Sequence, residues 1–419
     1  MSRRSTARGH KAKPRTVLTL VGAGLLVTAV TVTAANMASA GQTAGPPPQS
    51  ARPFHAQGVD PSATGADHAV FVQGNELDGN TIHAFERADD GTLTAAGTYP
   101  TGGKGGDQVD APTDSLASQG SLVYDDASGT LLAVNAGSDT VTSFKVRGRT
   151  LMDPHVTHSG GKFPASIAVS GNIAYVMNAG GEGSVQGFEI TGAGLTPLEG
   201  THRSLGLENE DVPLFSSSPG EVEFTPDGAA LVVTTKSANT LEVFPMNDDG
   251  TPAVQEPVVS KSAGGVPFAV TFDEDGRMLV AEAEKSTVSV YEVAEDGTVE
   301  PVQTPLANGQ DTLCWLERAG DFFFGGSTGS STLSGYTRDE HGELVLTSEN
   351  GLAAEPSENS RGVIDIAVTR DAEFVYVQNA TSGTVDGFRV GEDGLLTKVT
   401  TADGLPAFGE SGMEGIAAV

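Results

Sequence analysis

A unit of two short hydrophobic strands joined by a small polar turn recurs seven times along the chain, and each copy ends near an aromatic residue. Short runs of this kind, with turn residues about every 8–12 positions, are typical of β-strands in all-β proteins. Successive closing aromatics lie 44 to 59 residues apart. A repeat of about 50 residues built from short strands is the signature of a β-propeller. The closing aromatics, expected in the core, are Phe85, Phe144, Phe188, Phe244, Tyr291, Tyr336 and Phe388.

Each repeat is interpreted as part of a four-stranded blade whose innermost strand comes first. The first copy lacks an inner strand of its own, whereas residues 412–419 resemble an inner strand that no further strands follow. We therefore expect Gly415–Val419 to pair beside the strand that starts near His68. This pairing would close the ring and leave no strand edge free for aggregation. The sequence predicts an all-β, seven-bladed β-propeller over residues 67–419.

Asp-Gly pairs mark many of the predicted turns between strands. Such pairs accept the positive φ angle that tight hairpins require. Calcium binding is the alternative reading, but the spacing lacks the alternating acidic ladder of a calcium loop, so turn chemistry is favoured. The pairs are Asp90-Gly91, Asp227-Gly228, Asp249-Gly250, Asp275-Gly276, Asp296-Gly297 and Asp393-Gly394.

The first 40 residues are interpreted as a secretory signal. Six basic residues precede an uncharged apolar run from Val17 to Ala35, and Ala38-Ser39-Ala40 supplies a small-residue cleavage pattern. An uncleaved membrane anchor is the alternative, since the apolar run is just long enough to span a bilayer. Residues 41–66 are rich in Pro, Gly, Ala and Ser, which is typical of a flexible linker. We expect cleavage after Ala40 and a secreted protein, with association with the cell envelope as an alternative.

The chain is strongly acidic, with 54 Asp and Glu against 24 Lys and Arg and a net charge of −30. Loss of residues 1–40 would leave 18 basic residues and a net charge of −36. Such a surface repels nucleic acids and anionic lipids, so we expect neither nucleic-acid binding nor membrane insertion of the mature chain. A monomer without a cofactor is expected. Cys314 is the single cysteine, which excludes an intramolecular disulfide and favours a buried, unreactive thiol.

The candidate site is expected at the propeller axis, where the inner strands start. Basic residues are scarce, yet five of them lie in the links between blades: Lys104, Lys162, Arg203, Lys261 and Arg361. A ring of cations there would attract a small anionic ligand. Glu221 and Arg361 are the candidate catalytic residues, and Glu414 joins Lys104, Lys162, Arg203 and Lys261 as a candidate substrate-binding residue. The alternative is that these are solvated loop residues that offset neighbouring acids.

Metal and nucleophile motifs give little support to other chemistries. His155 and His158 have no third ligand nearby, so no metal site is predicted. The chain contains no phosphate-binding loop and no cysteine pair. Its single Trp and the absence of repeated Trp motifs argue against a quinone-dependent dehydrogenase propeller, and the WD and kelch signatures are absent.

The segments 221–244, 266–291 and 308–336 resemble the blades of bacterial lactonase-type seven-bladed propellers, and the resemblance extends over residues 68–419. That family includes 6-phosphogluconolactonases and carboxymuconate cyclase-like proteins. The resemblance implies hydrolysis or isomerisation of a lactone or of a small molecule that bears a carboxylate. The enzymes of the family carry a Pro-His pair at a mid-chain inner strand, whereas this chain has Ser218-Pro219-Gly220-Glu221. A non-catalytic binding propeller at the cell surface is therefore the second hypothesis.

Overall fold

A computed structural model describes residues 67–355, 361–409 and 412–419. The predicted signal and linker segments, 1–40 and 41–66, lie outside the described residues, so export and its cleavage site remain predictions. The first strands are β1 (Ala69–Gln73), β2 (Thr81–Arg87), β3 (Leu93–Pro100), β4 (Leu122–Asp125), β5 (Thr130–Asn135), β6 (Thr140–Arg147), β7 (Thr150–His158), β8 (Pro164–Ser170), β9 (Ile173–Asn178), β10 (Ser184–Thr191), β11 (Gly194–Pro197), β12 (Arg203–Ser204), β13 (Pro219–Phe224), β14 (Ala230–Thr235) and β15 (Thr240–Pro245).

The remaining strands complete the later blades, and one short 3₁₀ helix, Ala136–Ser138, follows β5. These strands are β16 (Val258–Lys261), β17 (Pro267–Phe272), β18 (Met278–Glu282), β19 (Thr287–Val293), β20 (Val299–Pro301), β21 (Leu306–Ala307), β22 (Leu313–Ala319), β23 (Phe322–Ser327), β24 (Thr332–Arg338), β25 (Leu344–Leu346), β26 (Leu352–Ala354), β27 (Val363–Val368), β28 (Phe374–Asn379), β29 (Thr384–Val390), β30 (Leu396–Ala402) and β31 (Glu414–Ala418).

The strands form seven separate antiparallel sheets, which confirms the seven-bladed propeller. Blade 1 has the order β31-β1-β2-β3, and blade 2 is β4 to β7. Blades 4 and 7 are β13 to β16 and β27 to β30. In blades 3, 5 and 6 a short extra strand, β12, β21 or β26, pairs with the third strand beside the usual outer strand. The inner strands β4, β8, β13, β17, β22 and β27 each begin a blade.

Blade 1 takes its inner strand from the C-terminus, as predicted. In the β1–β31 pair, Val70 lies opposite Ala418 and Val72 opposite Ile416. The amide of Val419 donates to the carbonyl of Ala69 at 2.9 Å. Both chain ends of the propeller therefore meet in one sheet, and no inner-strand position of the ring is left open.

The closing aromatics are all buried, with no more than 4% of any of them exposed, which confirms their predicted place in the core. Each lies on the third strand of its blade, directly opposite a hydrophobic residue, as Phe144 faces Leu131 and Phe244 faces Leu231. Phe188 and Phe244 belong to one cluster of buried side chains that joins blades 2, 3 and 4. An aromatic ring at this position buries about 150–250 Å², so the series holds neighbouring blades together.

The Asp-Gly pairs form tight turns, as predicted. Gly250 has a φ of +77°, an angle that glycine adopts without steric cost. The carboxylate of Asp249 accepts hydrogen bonds from the amide and the hydroxyl of Thr251 at 3.0 and 2.6 Å. These bonds lower the pKa of Asp249, since they favour its ionised form. The aspartate thus stabilises its own turn.

Bulges interrupt the start of the inner strands and leave backbone amides free to bond across to the neighbouring blade. The pairing shifts in this way in β8, β13, β17, β22 and β27. The amide of Val270 donates to Glu221 Oε2 at 2.5 Å, and that of Ile416 donates to Asp365 Oδ2 at 3.2 Å. Polar side chains at the axis therefore fasten successive inner strands to one another.

Candidate active site

A segment of the first link, residues 114–119, crosses the axis at the end where the inner strands start. We call it the axial segment. The amide of Leu116 donates to Glu414 Oε1 at 2.9 Å, and Ser118 Oγ donates to the carbonyl of Ala165 at 2.7 Å. These partners belong to blades 1 and 3. The sequence placed the candidate site at this end of the axis, but the axial segment occupies it.

A buried lysine supports the axial segment from blade 4. Lys236 Nζ donates to the carbonyl of Ala117 at 2.7 Å and lies 5.1 Å from the ring centres of Phe215 and Phe268. Burial lowers the pKa of Lys236 to about 7, although the negative charge of Asp114 opposes the change. The surroundings are thus apolar enough to disfavour a charge. Lys236 thus stabilises the position of the axial segment.

The single cysteine lies in the same buried region. Cys314 is 5% exposed, and burial raises its pKa to about 12. Its thiol is therefore protonated at neutral pH and unreactive. The prediction of a buried, structural cysteine is confirmed.

Gln119 ends the axial segment and has a fixed orientation. Its Oε1 accepts from the amide of Leu316 at 3.0 Å, and its Nε2 donates to the carbonyl of the same residue at 3.1 Å. Nε2 also lies 3.2 Å from Glu221 Oε1 and 3.2 Å from Glu317 Oε1. The two carboxyl groups therefore approach the same amide nitrogen. Gln119 brings them together at the inner end of a cavity.

The cavity has a volume of about 400 Å³ and follows the inner strands from their middle to their C-terminal ends. Gln119 lines its inner end, and Asp125 and Gly171 line it at the turns that end β4 and β8. Aliphatic side chains such as Ile167 and Val368 form part of the wall. This volume lies in the range of small-molecule sites, about 300–1,000 Å³.

Four acidic side chains from the inner strands of blades 4, 6 and 7 line this cavity: Glu221, Glu223, Glu317 and Asp365. We call them the axial carboxyl cluster. Glu221 and Asp365 are 3% and 4% exposed, whereas Glu223 and Glu317 are half-buried. The last two therefore offer the cluster's most accessible acid groups. A substrate in the cavity would meet them first.

Burial and mutual repulsion change the acidity of the cluster. Burial raises the pKa of Glu223 to about 7 and that of Asp365 to about 8. The pKa values of Glu221 and Glu317 lie well above their usual range, because of burial and then of the neighbouring negative charges. Part of the cluster therefore keeps its protons at neutral pH. Carboxyl groups in both protonation states are the components of general acid–base catalysis.

Stability should fall as the pH rises from 5 to 7. In the unfolded chain Asp365 and Glu223 have their usual pKa values of 3.8 and 4.5, whereas in the folded chain both pKa values are raised. The folded chain therefore binds these protons more tightly. The stabilisation is thus complete below the unfolded pKa and is lost as the pH rises through the folded value. Glu242, whose pKa burial raises to about 7, acts in the same direction. Lys236 acts in the opposite direction, but only above pH 7.

Calorimetry at the two pH values measures this effect. We expect a melting temperature about 5 °C lower at pH 7 than at pH 5, and a shallower pH dependence in Asp365→Asn. The pH slope is the diagnostic quantity, because the substitution also removes an acceptor and lowers stability at every pH. A melting temperature that rises from pH 5 to pH 7 would contradict the assigned shifts.

Of the residues selected from the sequence, Glu221 lines the cavity. Both of its carboxyl oxygens already accept hydrogen bonds, from Val270 and Gln119. Glu414 lies behind the axial segment, where burial and the nearby Asp114 raise its pKa well above the usual range. The two acidic residues of the predicted site, Glu221 and Glu414, therefore lie on opposite sides of the axial segment, and only Glu221 lines the cavity.

The five selected cations do not line this cavity, and the side chains of three of them have other partners: Lys162, Lys261 and Arg203. Lys162 Nζ pairs with Asp139 at 2.8 Å on the surface. Lys261 Nζ donates to the carbonyl of Ala238 at 2.8 Å. Exposed backbone amides of Lys104 and Arg361 donate to the hydroxyls of Ser138 and Ser382.

Arg203 has a structural position. Its guanidinium donates to the carbonyls of Gly200, His202, Pro252 and Val254 at 2.7 to 3.2 Å, and the residue is 5% exposed. It joins β12 to the loop that follows β15. The side chains of Lys162, Lys261 and Arg203 thus make separate local contacts, and the ring of cations around one ligand stays a prediction.

The sequence reasoning missed Glu223, Glu317, Asp365 and Gln119. A signal existed for the first three: each is an acidic residue among hydrophobic residues of an inner strand. Glu223 also stands two residues after Glu221, on the same face of β13. Gln119 carried no comparable signal, because its contacts join residues 197 positions apart in the chain.

Within the described ranges, no three His, Cys, Asp or Glu side chains are arranged to hold a metal ion. No helix among the described residues has the length and hydrophobicity needed to cross a membrane.

Residues 121–315 match the family model described as "Lactonase, 7-bladed beta-propeller". No curated protein matches the chain in sequence. Among solved structures, a protein from Lactobacillus plantarum has a TM-score of 0.62 at 18% identity and covers 83% of this chain and 98% of its own. A putative 6-phosphogluconolactonase from Bacteroides uniformis has a TM-score of 0.59 at 17% identity, covering 80% and 95%.

The periplasmic gluconolactonase PpgL of Pseudomonas aeruginosa likewise has a TM-score of 0.59 at 18% identity, and the match covers 81% of this chain and 97% of that one. At these identities the structural likeness shows the fold alone. The seven-bladed architecture agrees with the family model, whose match spans blades 2 to 5 and the start of blade 6. The resemblance read from the blade motifs is thereby confirmed: residues 121–315 of the chain match the lactonase-type seven-bladed β-propellers.

Proposed function

We propose that this propeller hydrolyses a lactone in the axial cavity, with Glu223 as the general base and Glu317 as the general acid. The observation that carries the proposal is the axial carboxyl cluster, whose pKa values are raised toward and above neutrality in a cavity of small-molecule size. The family match supports the reaction class. Acid groups of different pKa in one cavity are suited to moving protons in both directions.

The two roles follow from the two environments. Glu223 Oε1 accepts a hydrogen bond from the amide of Phe224 at 3.0 Å, which favours its ionised form. Glu317 has its pKa raised by burial and by the charges of Asp365 and Glu223. Glu223 is therefore the group that loses its proton first, and Glu317 is the group that retains it.

In the reaction, Glu223 accepts a proton from water as the water oxygen bonds to the carbonyl carbon of the lactone. The resulting tetrahedral intermediate then loses its bond between that carbon and the ring oxygen, and Glu317 gives its proton to the departing oxygen. The product is a hydroxy acid. Proton exchange with solvent returns Glu223 and Glu317 to their starting states.

The pH profile of lactone hydrolysis tests this assignment. We expect kcat to rise through about pH 7 as Glu223 ionises, and to fall at higher pH as Glu317 loses its proton, which gives a bell-shaped curve. Proton release from a panel of δ- and γ-lactones can be followed with the purified full chain, after subtraction of hydrolysis in buffer. No hydrolysis above buffer with any lactone would reject the proposal and favour the binding propeller.

A further inference from the structure

We propose that the substrate is an uncharged, hydroxyl-bearing lactone, and that the cavity excludes lactones that carry a phosphate or a carboxylate. This inference rests on the proposed function and adds a substrate class to it. Its basis is the charge of the cavity wall. Asp125 joins the axial carboxyl cluster as a fifth acidic residue in the lining. Within the described part of the chain, no Lys, Arg or His lines this cavity.

Basic residues near the ends of the inner strands do not offset this charge. Arg370 forms an exposed ion pair with Asp126. Arg318 follows Glu317 in β22, and successive residues of a strand point to opposite faces. Its Nε donates to the carbonyl of Gly320 at 2.8 Å. These cations thus have local partners, and neither of them belongs to the lining of the cavity.

An anionic group in this cavity would add a negative charge at a place where neighbouring acid groups already raise one another's pKa. Like charges repel more strongly where protein replaces water, because the effective dielectric constant falls. A phosphate would also give up its hydration without finding a cationic partner in the lining. The family's anion-binding expectation, and the ring of cations sought in the sequence, therefore do not fit this cavity.

A neutral polyhydroxy lactone fits the same groups. Carboxylate oxygens accept hydrogen bonds from hydroxyl donors, while protonated carboxyl groups also donate. The axial carboxyl cluster offers both forms. The aliphatic wall, formed in part by Ile167 and Val368, can cover the carbon side of a sugar-derived ring. Ring opening then creates a carboxylate, so repulsion from the cluster favours release of the product.

Two matched lactones test the inference. Glucono-δ-lactone and its 6-phosphate differ only in the charged group. We expect the full chain to show a kcat/KM at least about 100-fold higher for the neutral compound, a factor that corresponds to about 2.7 kcal/mol. In Asp125→Asn the ratio should fall several-fold, because one negative charge of the lining is removed. A kcat/KM equal or higher for the phosphorylated lactone would overturn the inference while leaving lactone hydrolysis intact.

A binding measurement keeps the inference testable if no lactone is hydrolysed. Glucono-δ-lactam and its 6-phosphate cannot be opened in the same way and can be compared by calorimetry. Tighter binding of the neutral lactam supports the charge selection of the cavity, even if the hydrolase proposal has failed. Tighter binding of the phosphorylated lactam, or binding of neither, contradicts it.

Discussion

Replacing Glu317 by Gln lowers kcat for lactone hydrolysis by about 100-fold or more, because general acid catalysis typically contributes about 10²–10⁴-fold. The Gln side chain keeps the size of Glu317 and its contact with Gln119, but it has no proton to give to the departing ring oxygen. The high-pH limb of the rate profile should disappear together with the activity. Steady-state kinetics from pH 5 to pH 9 measure both effects.

Two further variants separate catalysis from packing. Glu274→Gln changes an exposed glutamate in the turn after an inner strand, so its kcat should equal that of the wild type. Glu221→Gln should lower the melting temperature, with a smaller loss of kcat than in Glu317→Gln, because both oxygens of Glu221 are occupied by structural hydrogen bonds. A full wild-type rate in Glu317→Gln, or a larger kcat loss in Glu221→Gln, would remove Glu317 from its assigned role.

Deleting residues 414–419 should abolish the folded state. The deletion removes β31 and exposes the inner edge of β1, and it leaves the Asp365 carboxylate and the Leu116 amide without Ile416 and Glu414. Losing one partner of a buried polar pair costs about 1–3 kcal/mol for each group left behind. Together with the lost apolar contacts of β31, this approaches the whole stability of a typical domain, about 5–15 kcal/mol.

Circular dichroism and size-exclusion chromatography detect this loss as a missing thermal transition and as aggregation. Deletion of Val419 alone is the matched control. It removes two hydrogen bonds, from the Val419 amide to Ala69 and from Arg87 to the Val419 carbonyl, so the chain should still fold with a melting temperature a few degrees lower. A cooperative transition in the 414–419 deletion near the wild-type temperature would show that β31 is not needed to close the ring.

The fold was predictable from the sequence because it depends on local, repeated signals. The alternating strands and the closing aromatics recur seven times, so each repeat predicts the same local structure as the others. Even ring closure followed from a simple count, since the first repeat lacked an inner strand and the last residues supplied one. A repeated architecture allows each unit to support the interpretation of the next.

The candidate site was less predictable because it depends on contacts between distant parts of the chain. Glu221, which the sequence selected, lines the cavity, but its link to Glu317 through Gln119 joins residues up to 198 positions apart. The selected cations lie in links whose paths cannot be read from composition. Only the folded structure shows that the axial segment fills one end of the propeller axis and that acidic residues line the cavity.

The place of the inner strand of blade 1 also limits when the molecule can finish folding. A ribosome releases the N-terminal blades first, and domains generally fold as units during synthesis. Here blade 1 lacks its inner strand until residues 414–418 have been translated. Blades 2 to 7 can form earlier, but closure of the ring by blade 1 has to wait for β31.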